Sequence, residues 1–342
     1  MKRTFLTILI SLLALIACTD NRPYFEDDGM VFHTTYHIKY RSQEPKTALI
    51  DSVLERFNLS LNPFDPNSTI AKVNRNEDVE VDDWFAHVFQ KAADISQKSG
   101  GAFDITCAPL VNLWGFGFSK KDSVTPETVD SIKQFVGYQK VRLEGKRVIK
   151  EDPRTMLDCS SIAKGYACDV VAEALEKVGV NDYMVEIGGE VKLKGMNPNG
   201  NPWRVGINKP EDDPENIKNE IEEVVQLGKA GGIATSGDYR NFYIKDGKKY
   251  AHTINPATGY PAAQNILSAT IIADDCMTAD AFATTFMVLG LEKAKELAAS
   301  IPDNIEYFII YADEQGQHRI TYSEGMIAFL PNRQALSILE NP

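Results

Sequence analysis

Asp280 and Thr284 stand four residues apart in Ala279-Asp280-Ala281-Phe282-Ala283-Thr284, so on a helix their oxygens share one face. One carboxylate and one hydroxyl make a hard-oxygen half-site that suits Mg²⁺, an ion that takes few protein ligands and fills its octahedron with water and substrate phosphate oxygens. Alone, the pair is explained more simply by an acid near a helix start and a threonine bonded back to the preceding turn. Ser160-Ser161-Ile162-Ala163-Lys164-Gly165-Tyr166 reads as the opening of a helix, whose free N–H groups and Lys164 ammonium suit a phosphate. The P-loop glycine spacing is absent, and a capped helix with a solvated lysine fits equally well. His252, in His252-Thr253-Ile254-Asn255-Pro256-Ala257-Thr258-Gly259, ends a strand at a turn, where a neutral imidazole could take a proton from an alcohol. A lone histidine is more often structural. Gly188-Gly189, Gly231-Gly232 and Thr235-Ser236-Gly237 permit close approach of a ligand or of another strand. Trp114-Gly115-Phe116-Gly117-Phe118 offers aromatic faces to a planar ring or to the core.

The chain has 342 residues, 43% apolar and 25% charged, enough to bury a substantial core. Its net charge of −12 disfavours nucleic acid as a partner, so an anionic ligand must be held by local groups. Lys2 and Arg3 precede an uncharged run whose apolar centre, Ile8 to Ala17, is too short to span a membrane as a helix. That run reads as a signal peptide over residues 1–17. It ends Leu15-Ile16-Ala17-Cys18, which resembles the bacterial lipobox, with Cys18 as the lipidated residue. Cleavage there removes two cations and no acid, leaving 34 basic against 48 acidic residues and a net charge of −14. An acidic, lipid-anchored protein outside the cytoplasm is expected, on the periplasmic side of a bacterial membrane. Cys107, Cys159, Cys168 and Cys276 are scattered singly, without the pairs that mark zinc or redox motifs, and read as buried thiols.

Residues 18–28 are expected to form a polar tether and 29–342 one folded domain. A strand is expected from Val31, with helices over Ala48–Leu59, Asp82–Lys98 and Pro126–Phe135, the last capped by Thr125. A hairpin is expected around Glu144-Gly145-Lys146, a helix over Ser160–Val178, and mainly strands between Tyr183 and Tyr250, including Phe242–Ile244 and Tyr250–Ile254. A strand at Leu267–Ile272, helices from Thr278 to Leu289 and on to Ala299, and two final strands complete the pattern. Strands grouped rather than alternating with helices predict an α+β fold with mixed, largely antiparallel sheets and packed helices.

These segments, taken in order, resemble the ApbE family of FAD:protein FMN transferases. The resemblance runs through Thr34-Thr35-Tyr36-His37-Ile38, Asn62-Pro63-Phe64-Asp65-Pro66-Asn67-Ser68, Gly101-Ala102-Phe103-Asp104-Ile105-Thr106 and Pro109-Leu110-Val111-Asn112-Leu113-Trp114-Gly115-Phe116-Gly117. It continues through Ile162-Ala163-Lys164-Gly165-Tyr166-Ala167, Val185-Glu186-Ile187-Gly188-Gly189-Glu190, Ala234-Thr235-Ser236-Gly237-Asp238-Tyr239-Arg240 and the His252 and Asp280 motifs. It implies that Asp280, Thr284 and the Ser161 carbonyl hold Mg²⁺. It also implies that Phe32, Phe64, Ala102, Phe103, Asp104, Asp158, Lys164 and Ile254 line the FAD site, several through backbone atoms. His252 matches the general base that activates a threonine or serine hydroxyl of a partner protein, such as a membrane redox subunit. The chain departs from the family pattern at Phe32-His33-Thr34, where Met-Gly-Thr is usual, and at Asp158-Cys159-Ser160, where Asp-Leu-Gly is usual. Two other readings use the same residues: an FAD pyrophosphatase that gives FMN and AMP, and a non-catalytic flavin-binding lipoprotein.

Overall fold

Val31 pairs with Thr34 across a two-residue turn that joins β1 (Tyr24–Val31) to β2 (Thr34–Arg41) in antiparallel register. The computed structural model describes residues 22–118, 123–212, 220–239, 241–245 and 247–331; the expected signal segment and Cys18 lie outside them. After the hairpin come α1 (Thr47–Leu61), α2 (Thr69–Asn74), α3 (Asp83–Lys98), α4 (Ala108–Trp114) and α5 (Pro126–Lys133). The side chains of Ser68, Asp82 and Thr125 accept the N–H of Ala71, Phe85 and Thr128 and so start α2, α3 and α5. The hairpin β3 (Val141–Glu144) and β4 (Arg147–Lys150) leads to α6 (Ala163–Lys177). Strands β5 (Tyr183–Ile187), β6 (Glu190–Lys194), β7 (Trp203–Asn208), β8 (Ile221–Leu227), β9 (Gly231–Gly237), β10 (Phe242–Lys245), β11 (Lys248–Ala251) and β12 (Ile266–Ala273) follow. The described chain ends with α7 (Cys276–Leu289), α8 (Leu291–Ser300), β13 (Ile305–Ala312) and β14 (His318–Tyr322).

Eight strands form one sheet in the order β1-β2-β5-β6-β9-β12-β13-β14, every pairing antiparallel. Alternation along the strands divides the apolar residues between its faces. Ile271 and Ile309 join the large core beneath α1, α3, α6 and α7, while Ile272, Phe308 and Ile310 join a second core with Trp203, Val225 and Leu227 of the β7–β8 ribbon. A third cluster packs Leu110, Leu113 and Trp114 of α4 against Val129 of α5 and Ile254. The α+β expectation therefore holds, and Cys107, Cys159, Cys168 and Cys276 are buried free thiols.

Three local expectations need correction. Residues 24–28, read as tether, belong to β1, where Glu26 lies opposite Lys39 and Asp28 opposite His37. Acidic side chains on an edge strand hide it from hydrophobic periodicity while guarding the edge. The helix expected from Ser160 begins at Ala163, because the Asp158 carboxylate accepts the Ser160 N–H at 2.9 Å and holds the intervening residues in a turn. Strand β11 ends at Ala251, so His252 lies just beyond the strand and not within it.

Candidate active site

One cleft of about 700 Å³ is lined by all twelve residues assigned a site role within the described chain: Phe32, Phe64, Ala102, Phe103, Asp104, Asp158, Ser161, Lys164, His252, Ile254, Asp280 and Thr284. Its floor depends on the contact between α6 and α7. Gly165 makes that contact possible, since a Cβ there would lie 2.3 Å from the Cys276 carbonyl oxygen and 2.8 Å from Asp280 Cβ. The α7 N-terminus is fixed twice: Asp275 accepts the Thr278 N–H at 2.7 Å, and Asp169 of α6 accepts those of Cys276 and Met277 at 2.9 and 2.8 Å. These caps set the register that turns Asp280 and Thr284 toward the cleft.

Asp280 is buried and accepts the Gly165 N–H at 3.0 Å. Gly165 lies in the first turn of α6, whose N–H groups have no acceptor within the helix, and Asp280 takes one of them up; Ser161 precedes the helix start, so its carbonyl is not committed to the α6 ladder. Lys164 Nζ lies 3.1 Å from Glu190 Oε1 and 3.9 Å from Asp280 Oδ2, and donates to the Ser160 carbonyl at 3.2 Å. Burial alone would lower the Lys164 ammonium, but Asp280 and Glu190 outweigh it and hold the group above the usual lysine value. Burial raises the Asp280 carboxyl against the pull of Lys164 and the Gly165 N–H, and raises Glu190 with help from Asp280. One ammonium is thus shared by two buried carboxylates. Glu190 Oε2 is buried and has no hydrogen-bond partner among the described residues. Glu190 was given no role on sequence grounds; the available signal was an acid opening a strand of apolar neighbours directly after Gly188-Gly189.

Thr284 Oγ1 lies 3.3 Å from Ser236 Oγ, which brings the small polar stretch of β9 against the Asp280 helix. At Gly188, with φ +66°, a Cβ would sit 3.0 Å from Thr34 and 3.2 Å from Lys164 Cδ; the glycine leaves that space to the lysine stem. Lys164 is therefore neither a solvated lysine nor a simple helix-end charge. It is held by carboxylates from two other elements.

His252 Nδ1 lies 3.2 Å from the Asn241 carbonyl oxygen, which also accepts the His252 backbone N–H at 3.1 Å. A carbonyl only accepts, so in the neutral ring Nδ1 carries the proton and Nε2 carries the free lone pair. Burial lowers the imidazole below its ordinary 6.5, with Lys164 pushing the same way and the Asn241 carbonyl opposing. Phe116 meets His252 edge-on at 6.4 Å and stacks on Tyr243 at 5.3 Å. Trp114 is buried, stacks on Tyr250 and donates its indole N–H to the Gly259 carbonyl at 2.8 Å. The aromatic run thus divides: Trp114 braces the turn after His252, and Phe116 lines the cleft.

Asp104 spends its carboxylate inside the protein, accepting from the Thr106 N–H and hydroxyl at 2.8 and 2.6 Å and from the Tyr138 N–H at 2.8 Å. The Phe103 ring is in the core, which leaves the backbone of Ala102–Asp104 to meet a ligand. Phe64 is 44% exposed at the cleft, its N–H held by Asn62 Oδ1 at 3.0 Å.

A family model described as the ApbE family matches residues 32–309. The chain belongs to the ApbE family. A protein of Vibrio cholerae named FAD:protein FMN transferase is 38% identical over 307 residues, covering 86% of this chain and 90% of that protein. One of Escherichia coli K12 with the same name is 37% identical over 266 residues, covering 75% of this chain and 74% of its own. The solved structure of the flavin transferase ApbE from Vibrio cholerae superposes with a TM-score of 0.81 at 35% identity, covering 90% of this chain and all of that one. The apo flavinyl transferase ApbE of Pseudomonas stutzeri does so with a TM-score of 0.78 at 30% identity, covering 90% and 97%. Both departures from the ApbE family pattern lie at the cleft: Phe32, His33 and Thr34 line it, and Cys159 is buried between the cleft residues Asp158 and Ser160.

Proposed function

We propose that the protein transfers FMN from FAD to a serine or threonine hydroxyl of a partner protein, with AMP as the leaving group and Mg²⁺ required. The observation that carries this reading is the meeting, in one cleft, of a buried ammonium, a carboxylate and hydroxyl on one helical face, and an imidazole whose tautomer is set by a backbone carbonyl. The names of the relatives agree with it.

His252 Nε2 takes the proton from the acceptor hydroxyl. The new bond joins that oxygen to the FMN phosphorus, and the pyrophosphate P–O bond breaks, its electron pair leaving with AMP. Lys164 offsets charge on the phosphate oxygens, and positioning with electrostatics is most of what phosphoryl transfer asks of a protein. Asp280, Thr284 and the Ser161 carbonyl would hold Mg²⁺. The set fits a hard cation: the Ser161 carbonyl stands before the start of α6 and outside its ladder, an ammonium already stands 3.9 Å from Asp280, and Glu190 Oε2 is a buried oxygen without a hydrogen-bond partner among the described residues. When bound, the ion supplies Lewis-acid neutralisation of the pyrophosphate.

Lipidation at Cys18 would leave five residues before β1, at most about 18 Å of extended chain. The domain would then lie against the membrane, within reach of membrane redox subunits on the periplasmic side. Incubation with FAD, Mg²⁺ and a flavinylatable domain should raise that domain's mass by one FMN. An unchanged mass with FMN accumulating free in solution would instead make water the acceptor.

A further inference from the structure

The turn between β1 and β2 places two consecutive non-glycine residues in the left-handed region, Phe32 at φ +53° and His33 at φ +61°. Two-residue hairpin turns of this hand favour glycine and asparagine, because a Cβ strains the backbone at positive φ, less for histidine than for a bulky ring such as phenylalanine. For Phe32 the strain has an evident offset. Its ring meets the buried Phe57 ring at 5.4 Å and packs against the main core. His33 has no such burial. It is exposed, and its ring contact is with Phe64, another exposed ring, at 5.1 Å and 67°. A glycine would occupy the position without strain, whereas the exposed imidazole has no core contact to offset its own. Both rings line the cleft that holds Lys164 and His252.

We propose that His33 is a specificity residue for the dinucleotide: with Phe64 it forms an edge-to-face aromatic corner that receives one flat ring of FAD. A ring lying on one wall of such a corner meets the other edge-on, the two arrangements aromatic groups prefer. This assignment rests on the FMN-transfer reading for the identity of the ligand.

The test is His33→Gly, read by melting temperature, by equilibrium FAD binding through flavin fluorescence, and by steady-state transfer. Release of strain should raise the melting temperature by roughly 2–3 °C. Loss of the ring should weaken FAD binding about tenfold, as removal of a stacking side chain does elsewhere, with the loss falling on KM for FAD. His33→Phe should restore FAD affinity, and competition by FMN and by AMP identifies which ring sits in the corner. His33→Gly binding FAD within about twofold of the parent, or losing stability and affinity together, overturns the assignment. Failure of the parent to flavinylate any acceptor would instead strike the activity reading, since binding is measured without an acceptor.

Discussion

Gly165 donates its backbone N–H to Asp280 Oδ2 at 3.0 Å, across a helix contact too close for any side chain at that position. Gly165→Ala would drive a methyl into the Cys276 carbonyl and part α6 from α7. A loss of about 1–3 kcal/mol of stability is expected, visible as a lower denaturation midpoint, with FMN transfer falling alongside. A variant as stable as the parent would show that the contact is not needed.

Asp280→Asn keeps the shape of the side chain and removes its charge. Transfer should fall by about 10²–10³ at saturating Mg²⁺, while FAD still binds, because the proposed ring contacts, Phe64 among them, lie on other elements of the cleft. Acceptor mass and flavin fluorescence read the two effects separately.

Glu190 and Asp280 share the single Lys164 ammonium, and because burial pushes Glu190 up to about 8, the cluster carries one negative charge in excess only above that pH, where the Mg²⁺ dependence is to be read. Glu190→Gln removes that excess and lets Lys164 settle on Asp280. The Mg²⁺ concentration giving half-maximal transfer should rise by about tenfold, from the Coulomb attraction lost at short range. An unaltered Mg²⁺ dependence would mean that Glu190 only fills space.

A base must be neutral to accept a proton, and burial holds the His252 imidazole below 6.5. Activity should therefore persist as the pH falls through 6.5 and decline only further into acid, the inflection belonging to the protonation of this ring. His252→Ala should cost about 10²–10⁴ in kcat across the plateau and abolish that acid limb.

Asp280, Thr284, Lys164 and His252 were legible only through the ordered resemblance to the ApbE family, since the spacing and turn chemistry of each short motif left a structural reading equal or ahead. Glu190 was not, since its meaning arises from β6 lying beside α6, a relation no sequence window contains. The start of β1 was missed for a related reason: Glu26 and Asp28 pair across strands with Lys39 and His37, and pairing at an edge leaves no apolar alternation to read. The strain at His33 depended on a two-residue turn whose φ angles only the paired register reveals. The antiparallel sheet could be expected as a class, but its strand order, which brings β9 and β12 together beneath α7, could not.

The two halves of the cleft are anchored differently. Asp280 and Thr284 ride on a helix seated over strands in the interior of the eight-stranded sheet, whereas His252 follows two four-residue strands that pair as a separate two-stranded ribbon. Amide hydrogens around Asp280 and Thr284 should exchange through global unfolding, and those flanking His252 through cheap local opening. If His252 faces the acceptor as proposed, adaptation to differently shaped acceptor polypeptides can occur on the imidazole side while the helix carrying Asp280 and Thr284 stays fixed.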